Sequence, residues 1–213
     1  MVVRQATPGM QGGDINAVLN AQQCKQLIEG GLSFVIRYLP RTSVLAAGNL
    51  TLAETDTILT SGLALSAVQH AAIPGWQPSA GLGQIYGKNA GIFAAEAGLL
   101  PNMNIWLDLE EVAEDSTAAD VIAYCNGWYA AVAEAGYLPG LYVGWGVKLS
   151  SAQLYSALSF RSYWESYNAD IPVATRGHQL IQHPQQTLGD LVYDPDTVQK
   201  DELGDLPLFV FSS

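Results

Sequence analysis

The sequence predicts an α/β fold, a single (β/α)8 barrel of the TIM type whose last units are shortened. Three observations predict it. Short apolar runs rich in β-branched and aromatic residues alternate with helix-like stretches, and that alternation demands a parallel sheet with helices packed on it. Eight such runs can be found in 213 residues, which leaves roughly 27 residues per unit, near the lower limit for a closed barrel. The open, doubly wound alternative lacks its marks: no G-x-G-x-x-G follows the first strand and no P-loop occurs.

The elements follow in order. Gly13-Asp14-Ile15-Asn16 forms a short first strand. Asn20 is placed to cap a helix that ends at Gly30-Gly31. Ser33 to Leu39 stops at Pro40 and forms the second strand, and Leu63 to Gln69 the third. Tyr86, Ala90, Phe93 and Ala97 recur at helical spacing ahead of Gly98 and Pro101. Asn104 to Glu110 is the fourth strand. Ser116 opens a helix with Val121, Cys125, Trp128 and Val132 on one stripe, closed by Gly136. Gly140 to Trp145 is the fifth strand, and Ser150 or Ser151 begins a helix running to about Phe160. Ser162 to Tyr167, Gln179 to Gln182 and Leu191 to Asp194 complete the eight. Little room remains for helices between Tyr167 and Gln179 or after Asp194, hence the shortened final units. The whole chain, 1–213, is expected to form this one domain, with its core at residues 11–200.

Composition excludes several functions. Apolar residues make up 49% of the chain and charged ones 14%, so a full core is available and disorder is excluded. Nine Lys and Arg against twenty Asp and Glu leave a net charge of −11, which repels nucleic acid and acidic membrane faces. No apolar run reaches the roughly 18 residues of a membrane span. The first residues lack the apolar stretch of a secretory signal. Synthesis in the cytoplasm is therefore expected, with release by lysis or a specialised route if the target is a cell wall. Cys24 and Cys125 sit on apolar helical stripes and are expected to be free core residues. His70, His178 and His183 form no HExxH or Cys/His cluster, so neither a metal nor an organic cofactor is expected.

Functional groups of such barrels sit at the C-terminal ends of the strands. Acids occur there: Asp14 on the first strand, Asp108 and Glu110 on the fourth, Asp194 and Asp196 on the eighth. Strand alternation places Trp106, Asp108 and Glu110 on one face and Ile105, Leu107 and Leu109 on the other. If the aliphatic face lies under the helices, both carboxylates point into the mouth, with Cβ atoms roughly 7 Å apart. Mutual repulsion and burial then raise the pKa of the less solvated one, which suits general acid chemistry, and glycoside hydrolysis divides labour between two carboxylates in this way. Glu110, with the longer reach, is the expected proton donor. Asp108, one layer deeper, would hold Glu110 or orient a substrate acetamido group, and Asp14 and Asp194 would stabilise positive charge or position water.

Trp76, Tyr142, Trp145, Trp164 and Tyr167 lie at or beyond predicted strand ends, either as stacking platforms for sugars or, for Tyr142 and Trp164, as barrel packing. Arg37, within the second strand, requires an anionic partner, and a mouth acid is the expected one. Tyr38, Gln69, Gln182 and Asp196 complete the expected substrate-binding set with Arg37, Tyr142 and Trp164.

Five segments in order carry a resemblance. Gly13-Asp14-Ile15-Asn16, Phe34 to Leu39, Trp106-Leu107-Asp108-Leu109-Glu110, Gly140 to Gly144 and Val192 to Asp196 resemble the glycoside-hydrolase-like domain family, itself similar to glycoside hydrolase family 25 lysozymes. The resemblance implies a barrel with an acidic groove, and by extension cleavage of the β-1,4 bond of peptidoglycan after N-acetylmuramic acid. It carries the first-strand aspartate onto Asp14, the paired acids onto Asp108 and Glu110, and the last-strand aspartate onto Asp194. The first strand departs from the lysozymes in continuing Asn16-Ala17-Val18 rather than with serines. The expected function is thus a glycosidase acting on an amino-sugar polymer, by a retaining, inverting or substrate-assisted route. The alternative is a non-catalytic glycan-binding module on the same barrel. The expected partner is a carbohydrate polymer, bound by a monomer.

Overall fold

The computed structural model describes residues 1–169 and 171–213. Its elements are β1 (Val2–Gln5), β2 (Gln11–Ile15), α1 (Ala21–Glu29), β3 (Phe34–Leu39), α2 (Leu52–Ser61), β4 (Ala64–Gln69), α3 (Ala80–Glu96), β5 (Asn104–Leu109), α4 (Ala118–Glu134), β6 (Leu138–Val143), α5 (Ser151–Ser156), β7 (Ser162–Glu165), β8 (Leu180–Gln182), β9 (Gln186–Leu188), β10 (Leu191–Val198) and β11 (Leu208–Phe211).

Eight strands close a barrel in the order β4-β3-β2-β10-β8-β7-β6-β5 and back to β4. Neighbours from β2 to β8 that touch within this ring run parallel, as the alternation with helices requires. The last barrel strand differs from expectation: β10 is antiparallel to both β2 and β8. The reason is chain length. Only residues 183–190 separate β8 from β10, too few for a parallel crossover, and β9 pairs with β10 as a hairpin turned at Gly189 (φ 64°). β10 therefore enters from the mouth and runs toward the base.

Helix ends follow local chemistry. Asn20 accepts the Gln23 N–H while the Gln23 side chain accepts the Asn20 N–H, a capping box at α1. Thr51 caps α2, and Gly62 in the left-handed region (φ 100°) ends it. Among the described residues no helix is long and apolar enough to cross a membrane. Cys24 and Cys125 are buried free thiols.

Two apolar layers result from the two-residue period of the strands. Inside the barrel lie Phe34, Ile36, Val68, Trp106, Tyr142, Trp164 and Leu180. Outside it, Val35, Leu65, Ile105, Leu107, Leu141 and Val143 pack under Leu27, Ile58, Phe93, Val121 and Trp128 of the helices. Gly140 makes room for the Trp106 ring, since a Cβ there would lie 2.3 Å from it. The base is closed by a strand outside residues 11–200. β11 pairs antiparallel with β1 and touches β4 at Val210–Leu65. The Leu208 N–H donates to Asn104 Oδ1 at 2.7 Å, and Phe209, fully buried, sits 5.0 Å from the Phe34 ring.

Candidate active site

The alternation along β5 carries the candidate site. Trp106 is buried inside the barrel, Asp108 follows one layer higher, and Glu110 stands just past the strand end. Both acids line a cavity of about 240 Å³ at the barrel mouth, shared with Asp194, Tyr38, Tyr142, Trp164, Tyr167 and Gln182. Val68 and Asn168 line it too, positions that the sequence does not single out.

Glu110 is held by its neighbours. A Cβ at Gly144 on the adjacent strand end would lie 2.6 Å from Glu110 Cβ and 2.8 Å from its Oε2, so the glycine leaves the space that the carboxylate uses. The Trp76 indole N–H donates to the Glu110 carbonyl at 2.9 Å. Glu111 then turns the chain with φ 50°, its N–H donating to the Trp145 carbonyl at 2.9 Å and its carbonyl accepting from Gly75 N–H at 2.8 Å.

A hydrogen-bonded row crosses the floor. Tyr38 O–H donates to Asp14 Oδ1 at 2.6 Å, Gln182 Nε2 donates to Asp14 Oδ2 at 2.8 Å, and Tyr142 O–H donates to Gln182 Oε1 at 2.9 Å. Asp194 lies directly opposite Asp14 in the β2–β10 register. Its place at the mouth follows from the reversed direction of β10, and not from closing a parallel strand as the sequence had suggested.

Burial dominates the electrostatics of these acids. It pushes Asp108 well above the usual carboxylate range, helped by the charges of Glu110, Asp14 and Glu111 and opposed by the Ala71 N–H. Asp108 Oδ1 is buried without a hydrogen-bond partner. Burial, then the Glu111 charge, raises Glu110. Asp14 is raised to about 7 by burial, against the stabilising bonds from Tyr38 and Gln182 and with a further push from Asp194. Burial likewise raises Asp194, against a hydrogen bond from Gln185. The site can therefore keep protons on carboxylic acids near neutral pH.

Three expected binding residues lie elsewhere. Arg37 is fully buried and pairs with Glu54 of α2 at 2.6 Å, with further bonds to the Ile15 and Gly48 carbonyls, so no mouth acid is its partner. The rule that a buried guanidinium needs a carboxylate held, but packing of α2 supplies it. Gln69 is sealed under α3 and α4, donating to the Pro40 and Tyr86 carbonyls and accepting from the Trp128 indole N–H. Asp196 is fully buried beneath the cavity, where it accepts the Trp164 indole N–H at 2.9 Å. Trp164 itself is 1% exposed and packs edge-on against Trp106 and Tyr142, so it forms the floor of the cavity as part of the interior core. Trp145 and Tyr167 are the exposed rings, at 56% and 57%. Among the described residues, no three His, Cys, Asp or Glu side chains gather as a metal-binding group.

Comparison with known proteins gives a consistent picture. The model of the family described as "Rv2525c-like, glycoside hydrolase-like domain" matches residues 25–198. No curated protein sequence matches the chain. Its fold is similar to that of the Tat-secreted protein Rv2525c of Mycobacterium tuberculosis, solved with L-tartrate, at 16% identity and TM-score 0.68 over 93% of this chain and 98% of that one. A B. stearothermophilus protein is similar at 20% identity and TM-score 0.69, over 89% and 96%. The spore cortex lytic enzyme SleM of Clostridium perfringens is similar at 15% identity and TM-score 0.61, over 92% of this chain and 69% of that one.

Proposed function

The chain belongs to the Rv2525c-like, glycoside hydrolase-like domain family, and from that premise we propose that it hydrolyses an amino-sugar polymer, peptidoglycan being the best fit, by carboxylate acid/base chemistry. One observation carries the reading: Asp108 and Glu110 enter a single aromatic-walled cavity from one strand, at different depths, both with raised pKa. The spore cortex lytic enzyme among its structural neighbours supports the choice of polymer.

In this mechanism Glu110, at the rim, gives its proton to the glycosidic oxygen as the C–O bond breaks; water then adds to the sugar carbon and its surplus proton passes to a mouth carboxylate, Glu110 itself in a retaining or substrate-assisted route and Asp14 or Asp194 in an inverting one. Asp108 stays protonated in its buried layer and fixes the acetamido group. Asp14, poised near neutrality and held by Tyr38 and Gln182, positions the water or balances charge opposite Asp194. Tyr167 and Trp145 offer exposed rings for the sugar faces.

Glu110→Gln tests the proposal. It is expected to lower reducing-end release from purified cell wall at least about 100-fold, with an unchanged circular dichroism spectrum. Undiminished release would remove Glu110 from the chemistry. Saturable binding of muropeptides to the unaltered protein, with no product after long incubation, would establish the binding module in place of the enzyme.

A further inference from the structure

Around the mouth, the hollows differ in sign. The central cavity holds Asp108, Glu110 and Asp194, one flank holds Asp14, Asp190 and Asp194, and another holds Glu111 and Glu114. A fourth hollow, about 350 Å³, has no acid in its lining and contains the cation Arg41 instead, with Thr42, the exposed side chains of Val44 and Ile73, and His70, which burial and the Arg37 and Arg41 charges hold toward its neutral form. It adjoins the central cavity through Tyr38, whose ring stacks on His70 at 4.6 Å.

Arg41 is half-buried and fixed, and most of its donor capacity is unspent. Its Nη1 donates to the Ala71 carbonyl, and its guanidinium lies 5.6 Å from the Tyr86 ring centre. Its Nε is buried without a partner. Among the described residues no carboxylate lies within 4 Å of it, whereas Arg37 is paired with the buried Glu54, and Arg176 with the buried Asp201 and the exposed Asp205. Lys148, the other mouth cation lining a hollow, shares its hollow with Glu111 and Glu114. Ala71 also links the hollow to the chemistry, since its carbonyl takes Arg41 while its N–H faces Asp108. In a chain of net charge −11, this is the mouth hollow described above whose lining sets a cation against no acid, so an anionic group is favoured there over its acid-lined neighbours.

We propose that the Arg41 hollow is a subsite for a carboxylate-bearing substituent of the glycan, carried on the sugar itself or by a short peptide attached to it. The guanidinium takes the carboxylate, and Val44 and Ile73 take its alkyl neighbours. The subsite rests on the glycan reading above and extends it. It makes an otherwise acidic mouth selective for an acidic polymer and sets the direction in which the polymer lies across Asp108 and Glu110.

Three probes of equal sugar length test it by calorimetry, in the Glu110→Gln background so that nothing is cleaved: a neutral N-acetylglucosamine oligomer, a peptide-free strand bearing lactyl carboxylates, and the same strand with its peptides. At least one anionic strand is expected to bind about tenfold or more tighter than the neutral oligomer. Preference for the peptide-free strand assigns the carboxylate to the sugar, and a preference that needs the peptides assigns it to the peptide. Adding Arg41→Gln should erase the preference while leaving the neutral oligomer's affinity unchanged, and Arg41→Lys should keep part of it. Equal binding of all three probes, or equal weakening of all three by Arg41→Gln, overturns the subsite and leaves the glycan reading standing. Binding of none of them overturns both.

Discussion

Glu111 adopts a left-handed backbone, φ 50°, immediately after the proposed proton donor. A non-glycine residue there costs about 1–3 kcal/mol, which its bonds to Trp145 and Gly75 help to offset. Its charge helps raise Glu110. Glu111→Gln removes that charge, so Glu110 should lose its proton at lower pH and the alkaline limb of the kcat profile should move down, as read by pH-rate measurement. An unmoved limb would mean that another group titrates there. Asp14 makes stability itself depend on pH. Raised from 3.8 to about 7, it binds a proton in the folded state over a range where the unfolded chain has released it. Its contribution is complete below pH 4 and is lost as pH rises through about 7. Asp14→Asn carries no charge to bury and should raise Tm at pH 8 while leaving it nearly unchanged at pH 4, by calorimetry. The paired acids of β5 were legible because side-chain alternation is a two-residue rule. The partner of Arg37 was not, since Glu54 lies 17 residues on and reaches it only through packing.

Between α3 and α4 the limiting dimension is the thickness of a backbone. A Cβ at Gly83 would lie 2.1 Å from the Tyr124 carbonyl oxygen, and one at Gly87 2.6 Å from that of Trp128. Carbonyls cannot rotate away as side chains do. Gly87→Ala gains about 0.5–1 kcal/mol in helix propensity but incurs about 1–3 kcal/mol in overpacking. Net destabilisation is therefore expected, read as a lower urea midpoint. Neutral or improved stability would mean that the two helices separate at little cost. Helical periodicity on Val121, Cys125, Trp128 and Val132 identified α4 from sequence alone. α2 is faint in the sequence although Thr51 and Glu54 have capping spacing, because its outward face begins with the exposed Leu52 and the apolar stripe is short. The reversal of β10 was also within reach, since eight residues cannot carry a parallel return.

Closure of eight strands was legible from repeat count and length, whereas the way the base is sealed was not. β1 and β11 are short, lie at opposite ends of the chain, and reveal themselves only by pairing with each other. Phe209 shows how much the seal matters: it is fully buried against Phe34 in the barrel interior. Phe209→Ala should cost about 3–5 kcal/mol, measured by denaturant unfolding, with the mouth chemistry retained at low temperature. A loss below about 1 kcal/mol would show a base that collapses onto the gap.

That seal also brings the first and last residues within hydrogen-bonding reach of each other, Met1 amine to Ser213 hydroxyl, on the side away from the mouth. A few added residues could splice residue 213 to residue 1, with a cut made in the exposed turn at Glu202 to Gly204. Such a circularly permuted chain would begin with β11 and β1 as a hairpin and still present its acids outward at the far end.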